Sequence, residues 1–372
     1  QKSYCVPESY NGQESRLYQN LGGGRFADVS RKAGILAGVG EAGKPRKLQG
    51  KSLGVSICDY DADGWPDIVV ANDTEPNYLF RNKGDGTFAE VGVEAGIAYS
   101  EGGQARAAMG VDAADIDRSG RESLLFGNFS NQMLGLYRNR GNGLFIDVAP
   151  TSEVGPASLQ FLAFGACFLD VDNDGWLDML TANGHLEPEI GHIQQTVTYE
   201  ERPLLFRNLG QGRFTEIGTK CGEALKTPLV GRGLAYADYD LDGDLDIAIS
   251  SNGGALKLYR NDGGSRAGAV RVVLAGRKSN RSGIGAVVEC RMGSEVERRS
   301  VRSGSSYCSQ SELPLTLGMG GQAKVDLLAV RWPSGTVTEV RDVAAGSVVT
   351  IDEEKGVVST APLTPARRQA RL

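Results

Sequence analysis

Only two histidines, His185 and His192, occur in 372 residues. That scarcity removes most imidazole chemistry. No Ser/His/Asp or Cys/His arrangement can be assembled around a repeated signature, and a place in a loop or core is the ordinary reading for each histidine. Long apolar runs are also missing; none approaches the roughly 18–20 residues a helix needs to cross a bilayer. Positive charge is not in excess: 40 Lys and Arg stand against 46 Asp and Glu, a formal charge of −6, which argues against nucleic acid as a partner. At 40% hydrophobic and 23% charged the composition is that of a folded chain. Glycine is the excess, with 51 residues, about twice its ordinary share of roughly 7%. So many turns beside so few long helical patterns read as all-β.

The charge is unevenly placed. Residues 1–264 carry 24 basic and 36 acidic side chains, and residues 265–372 carry 16 and 10, so net −12 gives way to net +6. Such a sign change marks a domain boundary. The expected division is repeats over 1–264, an all-β module over 265–353 and a flexible tail over 354–372.

Two signatures repeat. The first, Asn-x-Gly-x-Gly-x-Phe, occurs at Asn20–Phe26, Asn82–Phe88, Asn139–Phe145 and Asn208–Phe214, with a truncated copy at Asn261–Gly264. An apolar-aromatic run precedes each copy and alternation such as Phe214-Thr215-Glu216-Ile217 follows the full ones. That is strand, tight turn, strand, with glycine supplying the positive φ the turn wants. The second signature is a nine-residue Asp loop: Asp59, Asp61, Asp63, Gly64, Trp65 and Asp67 in one copy; Asp170, Asp172, Asp174, Gly175, Trp176 and Asp178 in another; Asp238, Asp240, Asp242, Gly243, Asp244 and Asp246 in a third. A degenerate copy spans Asp115–Ser123. Interleaved, the two give four antiparallel strands per unit, the composition of a β-propeller blade.

Carboxylates at positions 1, 3, 5 and 9 of one loop repel unless a cation neutralises them. Hard oxygen ligands on a flexible loop suit calcium, with its six to eight oxygens at about 2.3–2.6 Å. The position-7 carbonyl of Trp65, Trp176 or Asp244 would add a ligand, and glycine at position 6 permits the reversal. A solvated Asp-Gly turn is the plain alternative, but three copies in register oppose it. The expectation is about three calcium ions. In the degenerate loop Ser119 and Ser123 replace two carboxylates and Arg118 and Arg121 add positive charge, so it reads as a structural turn.

These residues resemble the FG-GAP/VCBS repeat family, and more narrowly the ASPIC/UnbV proteins related to cartilage acidic protein. The resemblance runs through Ala71–Asn82, Ala98–Asp112 and Ala182–His185. It continues at Lys278–Ala286, Gly304–Tyr307 and Val330–Gly335 of the C-terminal part. It implies a calcium-binding propeller, usually seven-bladed, followed by a small all-β ASPIC/UnbV module, and no established reaction. Tyr4-Cys5 and Leu17–Val29 look like the outer half of a blade whose inner strands are not in the sequence. The half-blade is expected to be completed by another polypeptide, or the chain to be a processed or truncated piece. The family would place a partner for Cys5 upstream.

Of the remaining cysteines, Cys58, Cys167 and Cys221 are expected to be buried. Cys290 and Cys308 stand 18 positions apart on strand-like segments, where both a disulfide and free thiols are open. Arg277, Lys278, Arg281, Arg298, Arg299 and Arg302 read as a solvated face, with a docking surface the sharper alternative. The leading functional expectation is an extracellular, secreted, calcium-stabilised binding or structural protein acting in adhesion or self-assembly, without catalysis. It would be a chain in which Gln1, or residues upstream, follow a removed segment. Its partner would be a protein or glycan outside the cell. A homo-oligomer or filament is a further expectation, with the basic module docking on the next subunit's acidic propeller. A carbohydrate-binding propeller and a propeller-type hydrolase or lyase are the alternatives.

Overall fold

The computed structural model describes residues 7–39 and 45–363. A two-stranded ribbon, β1 (Tyr18–Gly22) and β2 (Arg25–Asp28), comes first, then a short pair β3 (Ala37–Val39) and β4 (Pro45–Lys47). Four antiparallel meanders follow. The first blade is β5 (Ser52–Cys58), β6 (Asp67–Asn72), β7 (Tyr78–Asn82) and β8 (Phe88–Glu90). The second is β9 (Ala108–Ala114), β10 (Ser123–Asn128), β11 (Gly135–Gly141) and β12 (Leu144–Asp147). The third is β13 (Ala163–Leu169), β14 (Asp178–Asn183), β15 (Leu204–Asn208) and β16 (Phe214–Glu216). The fourth has three strands, β17 (Gly231–Ala237), β18 (Asp246–Ser251) and β19 (Lys257–Tyr259). These are β-propeller blades, as the repeats imply.

The first strands of successive blades lie side by side because each carries a glycine where the next backbone approaches. A Cβ on Gly54 would stand 2.3 Å from the Met109 carbonyl oxygen, and one on Gly110 2.3 Å from that of Phe164. Only glycine fits such an approach. The cores lie between blades. Val69, Leu79 and Ile97 pack with Val111, Phe126 and Phe145, and Leu125, Leu136 and Ala149 with Phe168, Met179 and Phe206. Second strands such as β10 and β14 are buried throughout, which explains their continuous apolar pattern.

The C-terminal module has eight strands in two sheets. One orders β23 (Leu315–Gly318), β20 (Ala269–Ala275), β26 (Ser347–Asp352) and β27 (Gly356–Pro362), with β20 and β26 parallel. The other orders β22 (Glu295–Ser300), β21 (Val287–Met292), β24 (Lys324–Arg331) and β25 (Val337–Ala344). A separate core of Val272, Val288, Leu317, Leu328, Trp332 and Ile351 fills the space between them. Strand β27 corrects the expected tail: Gly356–Pro362 pair with β26 through most of its length, because Val357, Val358 and Thr360 have strand-forming side chains.

Between β22 and β23 the chain leaves the module and runs along the first strands of three blades. Val111 N–H donates to Ser306 O at 3.2 Å and Ala166 N–H to Ser306 Oγ at 3.0 Å. Leu234 and Tyr236 N–H donate to Ser309 and Ser311 Oγ at 2.9 and 3.2 Å, and Asp238 N–H to Glu312 Oε1 at 3.1 Å. Edge amides that would otherwise be orphaned on these inner strands thus find partners. Arg302 stands 3.5 Å from both Asp112 and Glu122, and Arg271 pairs with Glu312 and lies 3.5 Å from Asp238. Part of the module's basic charge therefore meets the acidic propeller of its own chain.

The cysteines depart from expectation at two points. Cys290 and Cys308 are both free, the first buried on β21 and the second exposed in the loop along the propeller, so no disulfide joins them. Cys221 is exposed, not buried. Its counterpart Ala95 is covered by the fourth strand of the next blade, where Phe145 N–H bonds the Ala95 carbonyl at 2.9 Å. The fourth blade has no such strand. Cys58 and Cys167 are buried as expected, and Cys5 lies outside the described residues.

Candidate metal centres

Each Asp loop joins the first and second strands of a blade, and its backbone is set by its own carboxylates. The position-1 Asp accepts the position-6 glycine N–H: Gly64 to Asp59 at 3.0 Å, Gly175 to Asp170 at 2.9 Å, Gly243 to Asp238 at 3.2 Å. The position-9 Asp accepts the position-2 amide: Tyr60 to Asp67, Val171 to Asp178 and Tyr239 to Asp246, at 3.1, 3.0 and 3.3 Å. Positions 1, 3 and 9 converge. Carboxylate oxygens of Asp59, Asp61 and Asp67 lie within 4.8 Å of one another, as do those of Asp170, Asp172 and Asp178, and of Asp238, Asp240 and Asp246. The position-5 residues Asp63, Asp174 and Asp242 stand outside these groups and accept the position-7 amides of Trp65, Trp176 and Asp244 at 2.8, 2.9 and 3.2 Å.

The donor set fits a hard cation. Asp59, Asp170, Asp172, Asp238 and Asp240 each keep one buried carboxylate oxygen, Oδ1, without a hydrogen-bond partner. Buried acceptors are ordinarily satisfied, so orphans converging in this way call for an ion. Burial, with nearby carboxylates adding to it, pushes Asp67 up to about 7 and Asp178 up to about 8. A cation reverses that cost by favouring the ionised form.

The degenerate loop is built otherwise. Asp115 accepts the Ser119 and Gly120 amides at 3.0 and 2.7 Å. Asp117 pairs with Arg138 at 2.7 Å; the third blade has the equivalent pairing, Arg207 standing 2.7 Å from Asp172 and 3.1 Å from Asp174, but there Asp172 keeps its buried Oδ1 open. No carboxylate oxygen of Asp115 or Asp117 is among the buried orphans. Arg118 leaves this loop to donate to Gly175 O at 2.9 Å and to stack on Trp176, 3.9 Å from the ring centroid, while also pairing with Glu295 of the C-terminal module.

A further set of residues escaped the sequence reading. In three of the five hairpin signatures the opening asparagine is a staple between blades. Asn139 Nδ2 donates to Tyr60 O at 2.7 Å, Asn208 Nδ2 to Ile116 O at 2.9 Å and Asn261 Nδ2 to Val171 O at 2.7 Å. Each acceptor is the position-2 carbonyl of the preceding blade's loop. The main-chain N–H of Asn82, Asn208 and Asn261 donates to the position-9 Asp of its own loop at 2.7, 2.8 and 2.8 Å. The two repeated signatures are therefore one interlocked unit. The third loop also touches the module: Gly320 N–H donates to Asn173 O at 2.9 Å. His185 is buried, its Nδ1 accepting the Glu187 amide at 3.0 Å, and His192 is exposed beside Glu189; neither joins a metal group.

Interlocked Asp loops on propeller blades, followed by a two-sheet module, define the class. The FG-GAP-like repeat family matches residues 59–126 and the ASPIC and UnbV family matches residues 276–358; the chain carries an FG-GAP-like repeat stretch and a C-terminal ASPIC and UnbV stretch. It is similar to cartilage acidic protein 1 of Homo sapiens, 27% identical over 370 residues, which cover 94% of this chain and 52% of the relative. Similarity to the Mus musculus protein is 28% over 355 residues, covering 91% and 51%. The chain thus spans about half the length of these relatives. Among solved structures, an Agrocybe aegerita lectin that recognises terminal N-acetylglucosamine overlaps with a TM-score of 0.36 at 15% identity, covering 95% of this chain and 75% of the lectin, too loosely to bear on function. No helix among the described residues is long and apolar enough to cross a membrane.

Proposed function

We propose that this chain is an extracellular, calcium-stabilised binding and structural protein that acts through its surface in adhesion or assembly. The observation that carries the reading is the contrast between loops. Three hold three convergent carboxylates with orphaned oxygens, and a fourth of the same backbone pattern has only Asp115 and Asp117, the latter paired with Arg138 and neither with an orphaned oxygen. Such a set suits the calcium levels found outside cells. The calcium would neutralise Asp59, Asp61 and Asp67 in the first blade and their counterparts in the third and fourth, and so fix the loops that staple the blades together. The Ser306–Glu312 segment lies along the inner strands where propellers commonly hold small ligands, which favours surface binding over catalysis. The relatives' name, which refers to cartilage, agrees with an extracellular setting.

The test is fractionation of native tissue or culture with calcium present. The protein is expected in the medium or surface-associated fraction, and a chelator is expected to release or destabilise it there. Recovery from the cytosol alone would overturn the reading.

A further inference from the structure

The first and third blades' Asp loops share a backbone pattern and differ in their surroundings. In the first, Asp59 is half-buried and Ala62 and Gly64 are exposed. Among the described residues nothing lies within 4 Å of where a Cβ on Gly64 would stand. The counterparts in the third blade, Asp170, Asn173 and Gly175, are all buried, the first two at 1% and 0% exposure. Their cover is the C-terminal module.

Gly318, the last residue of β23, lies against the loop backbone. A Cβ there would stand 2.1 Å from Asp170 Oδ2 and 2.6 Å from the Asn173 carbonyl carbon, so only glycine fits. From β22 comes Glu297, buried, paired with Arg299, and with Oε2 3.8 Å from where a Cβ on Gly175 would stand. Glu295 on the same strand pairs with Arg118, which donates to Gly175 O at 2.9 Å. Two strands of the module thus roof the loop, and a guanidinium from the second blade ties the roof down.

The roof adds charge of the repelling sign. Glu297 joins a loop where Asp170, Asp172 and Asp178 already converge, and where Asp170 and Asp172 keep buried oxygens without hydrogen-bond partners. With the module down, these carboxylates face one another away from water; with it lifted, they are hydrated. A divalent cation among them reverses that preference, because it favours the ionised groups in the closed setting.

We infer that the C-terminal module is a calcium-set lid on the third blade's Asp loop. An ion at Asp170, Asp172 and Asp178 holds the module against the propeller, and the docked module traps that ion. The inference rests on the calcium reading above and goes beyond it, since calcium could stabilise each loop with no effect on the module. The coupling is reciprocal: whatever lifts the module must also loosen the ion. The first blade's loop, open at Gly64, exchanges its ion freely.

The docking contact can be read directly. The amides of Ala166, Leu234, Tyr236 and Ser306 bond across it, whereas β21 and β24 pair within the module. The test is hydrogen exchange of the full chain with and without a calcium chelator, beside stopped-flow release of calcium to a fluorescent chelator. Chelation is expected to speed exchange at the four amides by about tenfold or more, the scale of ordinary coupling between sites, with β21 and β24 still protected. One ion is expected to leave about tenfold more slowly than the first loop's ion. Asp172→Ala should abolish the slow phase and free the four amides even in calcium, and Asp61→Ala should do neither. Gly318→Ala should turn the slow phase fast. Should that variant fail to fold, Glu297→Gln has the opposite sign: with one carboxylate fewer, the four amides should stay protected under chelation. Bound calcium with a single release rate, or exchange at the four amides unmoved by chelation, overturns the lid and leaves the calcium reading intact. Exchange that rises equally in β21 and β24 overturns it as general unfolding, and a chain that binds no calcium overturns both.

Discussion

Replacing Asp172 and Asp117 one at a time separates a metal loop from its mimic. At about 1 mM calcium and a dissociation constant of roughly 10–100 µM, each ion stabilises the native state by about 1.4–2.7 kcal/mol, and three by about 4–8 kcal/mol. With an unfolding entropy of about 2.1 cal/mol/K per residue, a chain of this length shifts by roughly 1.3 °C per kcal/mol. Chelation should then lower the melting temperature by about 5–11 °C. Asp172→Ala removes a carboxylate whose buried Oδ1 has no partner and whose Oδ2 pairs with Arg207 at 2.7 Å, so the metal-free protein should lose no more than about 1 kcal/mol, the worth of a partly exposed pair. Its calcium-dependent increment should shrink by about a third and its metal count fall from three to two. Asp117→Ala breaks the 2.7 Å pair with Arg138 and leaves that cation unmatched. It should cost about 1–3 kcal/mol with and without calcium, with increment and metal count unchanged. Scanning fluorimetry with and without chelator, beside elemental analysis, reads both quantities. Three ions retained in Asp172→Ala, or one lost in Asp117→Ala, would refute the assignment.

Three other outcomes follow from the geometry. Asn208→Ala removes donors to Ile116 O and Leu177 O, both at 2.9 Å, and should cost about 2–4 kcal/mol in urea unfolding; a change below about 0.5 kcal/mol would discredit the staple. Burial pushes the Glu201 carboxyl up to about 8, above its unfolded value of about 4.3. The stability it contributes is therefore complete at low pH and lost as pH rises through about 8, so melting temperature should fall from pH 6 to 9 by a component absent in Glu201→Gln, which keeps an acceptor for the Leu162 amide. Parallel pH profiles for the two proteins would contradict this. Alkylation of native protein followed by peptide mass spectrometry should mark Cys221 and Cys308 and spare Cys58, Cys167 and Cys290, whose thiols burial pushes upward; rapid labelling of Cys58 would show that the first blade opens.

How far sequence carries depends on whether a residue's partner is near it in the chain. Asp59 and Asp67 belong to one loop, so their spacing alone announces that their carboxylates meet. The Ser and Arg content of Asp115–Ser123 likewise marked that loop as different, although the identity of its cation, Arg138, is 21 residues away. The asparagine staples were invisible for the same reason. Asn139 reaches a carbonyl 79 positions back and Asn208 one 92 positions back, and local geometry already explained both residues as hairpin formers. Ser306, Ser309 and Ser311 looked like an ordinary polar loop until the propeller supplied the edge amides they accept. Cys221 failed differently. Its repeat position predicts burial, but burial at that position is conferred by the next blade's fourth strand, and the fourth blade has none.

That dependence on the next unit is the logic of the whole repeat. A blade's loop is fixed partly by its own carboxylates and partly by the asparagine of the blade that follows, as with Val171 between Asp178 and Asn261. Order therefore passes along the chain of blades by nearest-neighbour contact, and a cation in one loop would steady the acceptor its neighbour uses. In the fourth blade the succession is taken over by the C-terminal module. Asp244 Oδ2 accepts the Ser265 amide at 2.9 Å and Glu312 caps Asp238. The last Asp loop is therefore also held by the segments that lead into and out of the module.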